Sequence, residues 1–396
     1  MTVQSTGAAF DDTQVLLQTL DGLQDLIESE AGHNEDATQV SDSVISALEQ
    51  SGVFGLMAPR AVGGLEGHPL QIFEALRKLA YFDGSTGWYC QAAITGPAVS
   101  GAFLGDSAVE AIFHSGVPAT CAGQAAPTGK AEREGDCYRI SGKFSFGSGI
   151  PNARWVVGGY VLHENGAPII GGHGLPAMLI AFAPRDRVRL TGNWDVLGLR
   201  GTGSYDFEVE EQRIHADFAF EAGVAQAQRG GALYRMGFNA LPSLCHAAWA
   251  IGCTERMLEE WIAHAHAKKR NTGRTIAEHD SFQKDLAWSK ARLQSASIYV
   301  RDTFTRLYDG ALAGTNPDSL KVDGRLCATL ALITGNEICQ TAFTSSATTG
   351  LRNGSRLQRC FRDMQAGNAH FLTGEQSLIE TGAFLAGQPG SSHGLL

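Results

Sequence analysis

The sequence predicts an α+β chain in which a helical N-terminal region leads to a central antiparallel β-domain and then a C-terminal four-helix bundle. Three features carry that reading. Apolar residues recur every three or four positions through the first hundred residues, the period of amphipathic helices. From about Val117 to Ala222, short runs of β-forming residues alternate with Gly, Pro, Asn and Asp, the texture of a compact antiparallel sheet or barrel. Beyond Gly231 the helical period returns in long segments. The expected domains are residues 1–117, 118–225 and 226–396.

In chain order, residues 13–30 place Val15, Leu16, Leu20, Leu23 and Leu26-Ile27 on one helical face. Residues 44–50 repeat the pattern, and Ser51-Gly52 closes it. Pro69–Phe82 forms a further helix, with Ile72, Leu76 and Leu79 inward and a stop at Asp83-Gly84. Strands are expected at 138–141, 155–161, 177–182, 188–190 and 205–209, with turns at Gly135-Asp136 and Glu164-Asn165-Gly166. The bundle helices are expected at 236–270, 281–309, 325–344 and 357–386, the last interrupted near Gly374, with a loop at 311–319. The first of these is uncharged over its leading half, which reads as buried on all sides. On the second, Leu286, Leu293, Ile298 and Leu307 form the apolar side.

The 396 residues carry a net charge of −10, an acidic balance that argues against nucleic acid as the main partner, since phosphate binding needs a basic face. Charged residues make up 18%, below the roughly 25% of an average protein. The 48 glycines, about 12%, exceed the roughly 7% average. Few charges and many glycines imply a large buried fraction extended by subunit contacts. Eight scattered cysteines without a CxxC pair read as reduced, buried small hydrophobes, and no metal-binding spacing such as HExxH occurs. The N-terminus lacks the basic and apolar regions of a secretory signal. Two uncharged stretches, 84–105 and 236–254, are broken by Gly, Pro97, Asn239, Pro242 and His246, which suits core segments rather than membrane spans. A cytoplasmic protein is expected.

Three segments could carry chemistry. Ser145-Phe146-Gly147-Ser148-Gly149-Ile150-Pro151 joins two β-segments, and a hydroxyl flanked by glycines lets a flat ligand approach the backbone. Read alone, this heptapeptide is more often an ordinary hairpin turn. The run from Asn193-Trp194 to Gly198-Leu199-Arg200-Gly201-Thr202-Gly203-Ser204 has the order G-x-x-G-x-G outside a strand-to-helix turn, so the dinucleotide fingerprint fails. Its N–H groups and hydroxyls could hold a ring or phosphate, or simply form a β-turn. Arg359 to Asp363 precedes His370, a titratable ring among Ala366, Gly367, Ala369 and Phe371. A lone histidine there is more often a hydrogen-bonded core residue than a catalyst.

Taken together, Asp83-Gly84-Ser85-Thr86-Gly87-Trp88, the SGK-x-x-FGSG run, residues 193–204 and Arg359 through His370 resemble the acyl-CoA dehydrogenase superfamily in order and over nearly the whole chain. Within it, the chain is similar to the oxygenase components of two-component (group D) flavin monooxygenases. Many acyl-CoA dehydrogenases carry a proton-abstracting glutamate eight residues after the Arg-Asp pair; here that position is Phe371. His370 stands where the monooxygenases carry an active-site histidine. The resemblance implies reduced FMN or FAD from a partner flavin reductase, O2, a C4a-hydroperoxyflavin and hydroxylation of a small aromatic or heteroaromatic substrate. It sets Ser148 beside flavin N5 and His370 at the substrate, where an imidazole titrating near neutral pH takes or shares a phenol proton.

The same resemblance assigns Trp88, Gly149, Thr202 and Ser204 to the flavin, and Trp155 and Phe371 to the substrate pocket. It gives the flavin phosphate to Arg270 at a bundle helix end. The family's arginine precedes Phe-Gly, replaced here by Asn271-Thr272-Gly273, which leaves Lys269, Arg270 and Arg274 as alternatives. Superfamily members pair their bundles, so a homotetramer is expected. Two other functions stay open on the same fold: an acyl-CoA dehydrogenase holding FAD permanently, and a non-catalytic ligand-binding protein.

Overall fold

The computed structural model describes residues 4–114, 119–171, 174–192, 194–269 and 273–389. Among them, six α-helices precede the sheet: α1 (Gln4–Asp21), α2 (Gln24–Ala37), α3 (Asp42–Ser51), α4 (Pro69–Phe82), α5 (Gly84–Phe103) and α6 (Asp106–Phe113). The single helix expected over 13–30 is two helices. The chain turns between them, with the Gly22 and Leu23 N–H groups donating to Thr19 O and Leu20 O at 3.1 and 3.0 Å. Asp83 separates α4 from α5 and caps the latter, its carboxylate accepting from Thr86 N–H at 2.8 Å and from the Thr86 hydroxyl at 2.9 Å. With almost every residue buried, α5 is the central helix of the N-terminal half.

The sheet comprises β1 (Cys121–Glu134), β2 (Cys137–Gly147), β3 (Trp155–Glu164), β4 (Ala167–Pro168), β5 (Met178–Pro184), β6 (Arg189–Leu190), β7 (Tyr205–His215) and β8 (Ala219–Glu221). Its order is β6-β7-β2-β1-β3-β5-β8, with β4 on β3. The expectation of a purely antiparallel sheet needs correcting, because β1 and β3 are parallel, with Cys121 opposite Trp155. The connection 148–154 carries the chain from β2 across to the far side of β1, so β3 runs beside β1 in the same direction. β1 itself was not legible: CAGQAAPTGKAERE has few β-formers, and pairing on both flanks decides its conformation.

The C-terminal part holds α7 (Ala240–Ala267), α8 (Asp280–Ala313), α9 (Asp318–Ser345), α10 (Arg356–Asn368) and α11 (Glu375–Leu385). α8 continues through part of the expected loop to Gly314, which ends it at φ +70°. Leu293 and Leu307 are buried, whereas Ile298 faces outward at 59% exposed, contrary to expectation. The last expected helix is split into α10 and α11, and the break contains His370. One continuous core joins the two helical regions, running from Leu16 and Phe73 through Trp249 to Leu332 and Met364, with α4 packed on α7. Phe144, Tyr160 and Phe207 centre a second core on the sheet, and Leu104, Ile112, Phe182 and Phe220 form a third that includes α6. All eight cysteines are free and seven are buried. No described helix is long and apolar enough to cross a membrane.

Candidate active site

The β2–β3 connection, the segment before β7 and the start of α5 converge on Ser148. The Trp88 indole N–H donates to Ser148 Oγ at 3.1 Å, and the Ser204 hydroxyl donates to the same oxygen at 2.8 Å. Thr202 Oγ1 lies 2.6 Å from Ser204 Oγ and donates to Leu199 O at 2.7 Å, while Gly149 N–H donates to Thr202 O at 2.9 Å. A hydroxyl has one proton and two lone pairs. Trp88 and Ser204 occupy both lone pairs of Ser148, so its own O–H is the group left for a ligand. Beside this row, Phe146 is 63% exposed and stands edge-on to Trp194 at 6.1 Å, an uncovered apolar rim.

The Arg-Asp segment of α10 anchors this loop. Asp363 Oδ1 accepts from Leu199 N–H at 2.6 Å, and Arg362 donates to Leu197 O at 3.0 Å. Gly198 permits the approach, since a Cβ there would lie 1.9 Å from Arg362 O. Arg359 meets Glu35 of α2 at 3.1 Å, and Arg362 pairs with the same carboxylate. Burial, then the charge of Asp83, raises the Asp363 carboxyl to about 7, against the pull of Leu199 N–H, Arg362 and Arg359. This segment is a clasp between helices and loop.

Trp88 also packs edge-on against three rings: Trp249 at 4.9 Å, His246 at 5.1 Å and His370 at 5.8 Å. Gly367 admits this cluster to α10, because a Cβ there would come within 2.3 Å of the Trp249 ring. In the break after α10, His370 Nδ1 accepts from Leu372 N–H at 3.3 Å. Burial first, and His246 second, hold its pKa well below the ordinary value. His370 is therefore neutral at pH 7 rather than titrating there.

His246 lies across from it on α7, with ring centroids 4.3 Å apart and planes inclined by 36°. Its Nδ1–H donates to Pro242 O at 2.7 Å, while Nε2 is buried with no hydrogen-bond partner among the described residues. Burial lowers its pKa to about 4, the Pro242 bond acting in the opposite direction. Sequence reasoning registered His246 only as an interruption of an apolar stretch. The available signal was a single titratable ring in the uncharged half of a helix.

Of the other expected site residues, Phe371 is 62% exposed with its ring 4.8 Å from that of His370. Trp155 is not brought to this cluster; it stacks on Phe218 at 5.4 Å, packed against the core that includes α6. Arg270, Asn271, Thr272 and Asn193 lie outside the described residues. Of the alternatives to Arg270, Lys269 bridges to Thr275 through the backbone, and Arg274 donates to Glu278 O.

Residues 244–375 match the family described as acyl-CoA dehydrogenase, C-terminal domain. The chain is 28% identical over 379 residues to an indole-3-acetate monooxygenase of Pseudomonas putida, covering 93% of this chain and 92% of that one. It is 27% identical over 374 residues to a flavin-dependent monooxygenase, oxygenase subunit HsaA, of Rhodococcus jostii, covering 89% and 93%. The crystal structure of the HsaA monooxygenase from M. tuberculosis matches with a TM-score of 0.87 at 23% identity, over 95% of this chain and 98% of that one. The architecture is the acyl-CoA dehydrogenase fold. Within that fold, the chain is similar over about nine-tenths of its length to these flavin-dependent monooxygenases.

Proposed function

We propose that this chain is the oxygenase component of a two-component flavin monooxygenase, which takes reduced FMN or FAD from a separate flavin reductase and uses O2 to hydroxylate a small aromatic or heteroaromatic substrate. The observation that carries the reading is Trp88, which hydrogen-bonds Ser148 on one side and packs against His246 and His370 on the other. Ser148 and its hydroxyl neighbours Thr202 and Ser204, next to the exposed Phe146 rim, suit the polar edge and apolar face of a flavin ring. Bound reduced flavin supplies the activated oxygen. The chain's part is to hold that ring with the Ser148 O–H and the Gly149 turn, to keep water out with Trp88, and to orient the substrate at His370 beside Phe371. Phe371 in place of a carboxylate supports oxygenation over acyl-CoA dehydrogenation.

Arg270, or Lys269 or Arg274 in its stead, is proposed to meet the flavin phosphate. Residues 1–117, 118–225 and 226–396 are proposed as the domains of a cytoplasmic homotetramer. Supporting the assembly, Trp288, Ile298 and Leu312 of α8 are each more than half exposed. The function is tested by mixing the protein with photoreduced FMN or FAD, 18O2 and a panel of phenols and indoles. One 18O atom in a hydroxylated product is expected. Peroxide release alone with every aromatic, together with flavin-linked oxidation of an acyl-CoA, overturns the proposal.

A further inference from the structure

The two facing histidines present opposite hydrogen-bonding groups. A neutral imidazole has one N–H and one bare nitrogen, and whichever bond one nitrogen makes sets the state of the other. His246 Nδ1 faces a carbonyl, Pro242 O at 2.7 Å, so it carries the proton and Nε2 is a bare acceptor. His370 Nδ1 receives Leu372 N–H at 3.3 Å, so it is bare and Nε2 carries the proton. With ring centroids 4.3 Å apart, a ring with a bare Nε2 and a ring with an Nε2–H therefore stand side by side next to Trp88.

The buried acceptor has nothing to satisfy it within the described residues. An unpaired buried polar atom is costly, and a ligand that pairs it recovers that cost. The two histidine rings do not satisfy one another, since planes inclined by 36° at this separation lie closer to a stack than to an in-plane hydrogen bond.

We propose that His246 Nε2 accepts, and His370 Nε2–H donates, a paired hydrogen bond to one hydroxyl of the substrate, which makes the preferred substrate a phenol. The inference rests on the aromatic-hydroxylase reading above and adds the substrate class and a second histidine. A phenolic O–H gives its proton to one ring and takes a hydrogen bond from the other. An indole N–H satisfies His246 alone, and an aryl ether satisfies His370 alone. His246 thus selects for the donor, and no proton need leave the substrate for the contact to form.

The test uses phenol and anisole as probes, titrated calorimetrically into the full-length protein, with thermal melting recorded for each variant. Wild type is expected to bind phenol about tenfold more tightly than anisole, the value of one net hydrogen bond. His246→Asn retains a donor for Pro242 O but no group at the Nε2 position, so its phenol-to-anisole ratio should fall to about one. His246→Gln, whose amide oxygen reaches that position, should restore much of the ratio. His370→Asn should weaken both ligands together and leave the ratio in place. For wild type itself, 15N-histidine NMR should show the His246 Nε2 resonance moving with phenol and not with anisole. An unchanged ratio in His246→Asn, or a His246 resonance indifferent to phenol, overturns the inference while leaving the hydroxylase reading standing. Failure of wild type to bind either probe overturns both.

Discussion

Trp88 and Ser148, 60 positions apart in the chain, are joined by a buried hydrogen bond of 3.1 Å from indole N–H to hydroxyl oxygen. The bond ties α5 to the β2–β3 connection. It also fixes what Ser148 can do, because Ser204 fills the remaining lone pair at 2.8 Å. The hydroxyl that the resemblance set beside flavin N5 is left here as a donor.

Ser148→Ala is accordingly expected to fold normally and to waste oxygen. Losing one hydrogen bond in a dry site is worth roughly 1–3 kcal/mol, so hydrogen peroxide released per reduced flavin consumed should rise about ten- to a hundredfold relative to product. Unchanged coupling would remove Ser148 from the site. Trp88→Phe keeps a ring but deletes the N–H, and should uncouple by a smaller factor.

His370→Asn should hydroxylate poorly, by about 10²–10⁴-fold if the ring assists proton movement as general acid–base groups do. Asparagine can still accept Leu372 N–H, so the turn after α10 should survive. Product formation in single-turnover mixing, checked against unchanged melting and reduced-flavin affinity, gives the answer. A wild-type rate would end the assignment of His370.

Asp363 makes a prediction about pH. Folded, its carboxyl titrates at about 7 through burial and the neighbouring Asp83. Unfolded, it titrates near 3.9. Between those values the folded state holds the extra proton, so this group's stability contribution is full below about pH 4 and is lost as pH rises toward 7. The three-unit difference corresponds to about 4 kcal/mol. Asp363→Asn retains an acceptor for Leu199 N–H and removes the titration. Its melting temperature relative to wild type should rise by a few degrees between pH 5 and pH 8. A pH-independent difference would show that the carboxyl is ionised in the folded protein.

The protein should purify nearly colourless and bind reduced flavin more tightly than oxidised flavin, as suits a cosubstrate delivered by a reductase. Stoichiometric FAD surviving extensive dialysis would contradict this.

Sedimentation should give a tetramer at micromolar concentration, and Trp288→Glu, on the exposed side of α8, should shift it to smaller species. A stable wild-type monomer would refute the assembly.

Some of this is legible in the sequence alone. The α4 helix begins and ends where the sequence says, because its signals are local. Gln71 and His68 close a capping box at one end, apolar residues repeat at helical spacing, and Asp83 stops it at the other. Ser148, Gly149, Thr202, Ser204 and His370 were singled out for similar reasons, being hydroxyls, glycines or a titratable ring in unusual local surroundings. Trp155 was assigned to the pocket by the resemblance alone, and it lies on another core.

What only the tertiary structure decided depends on partners far apart in the chain. The parallel pairing of β1 with β3, the clasp of Asp363 on Leu199 across 164 positions and the meeting of His246 with His370 leave no periodic trace. Sequence periodicity reports which face of an element is apolar. It says nothing of which distant backbone carbonyl or N–H fixes the proton on each imidazole, and those contacts give the two rings their opposite hydrogen-bonding character.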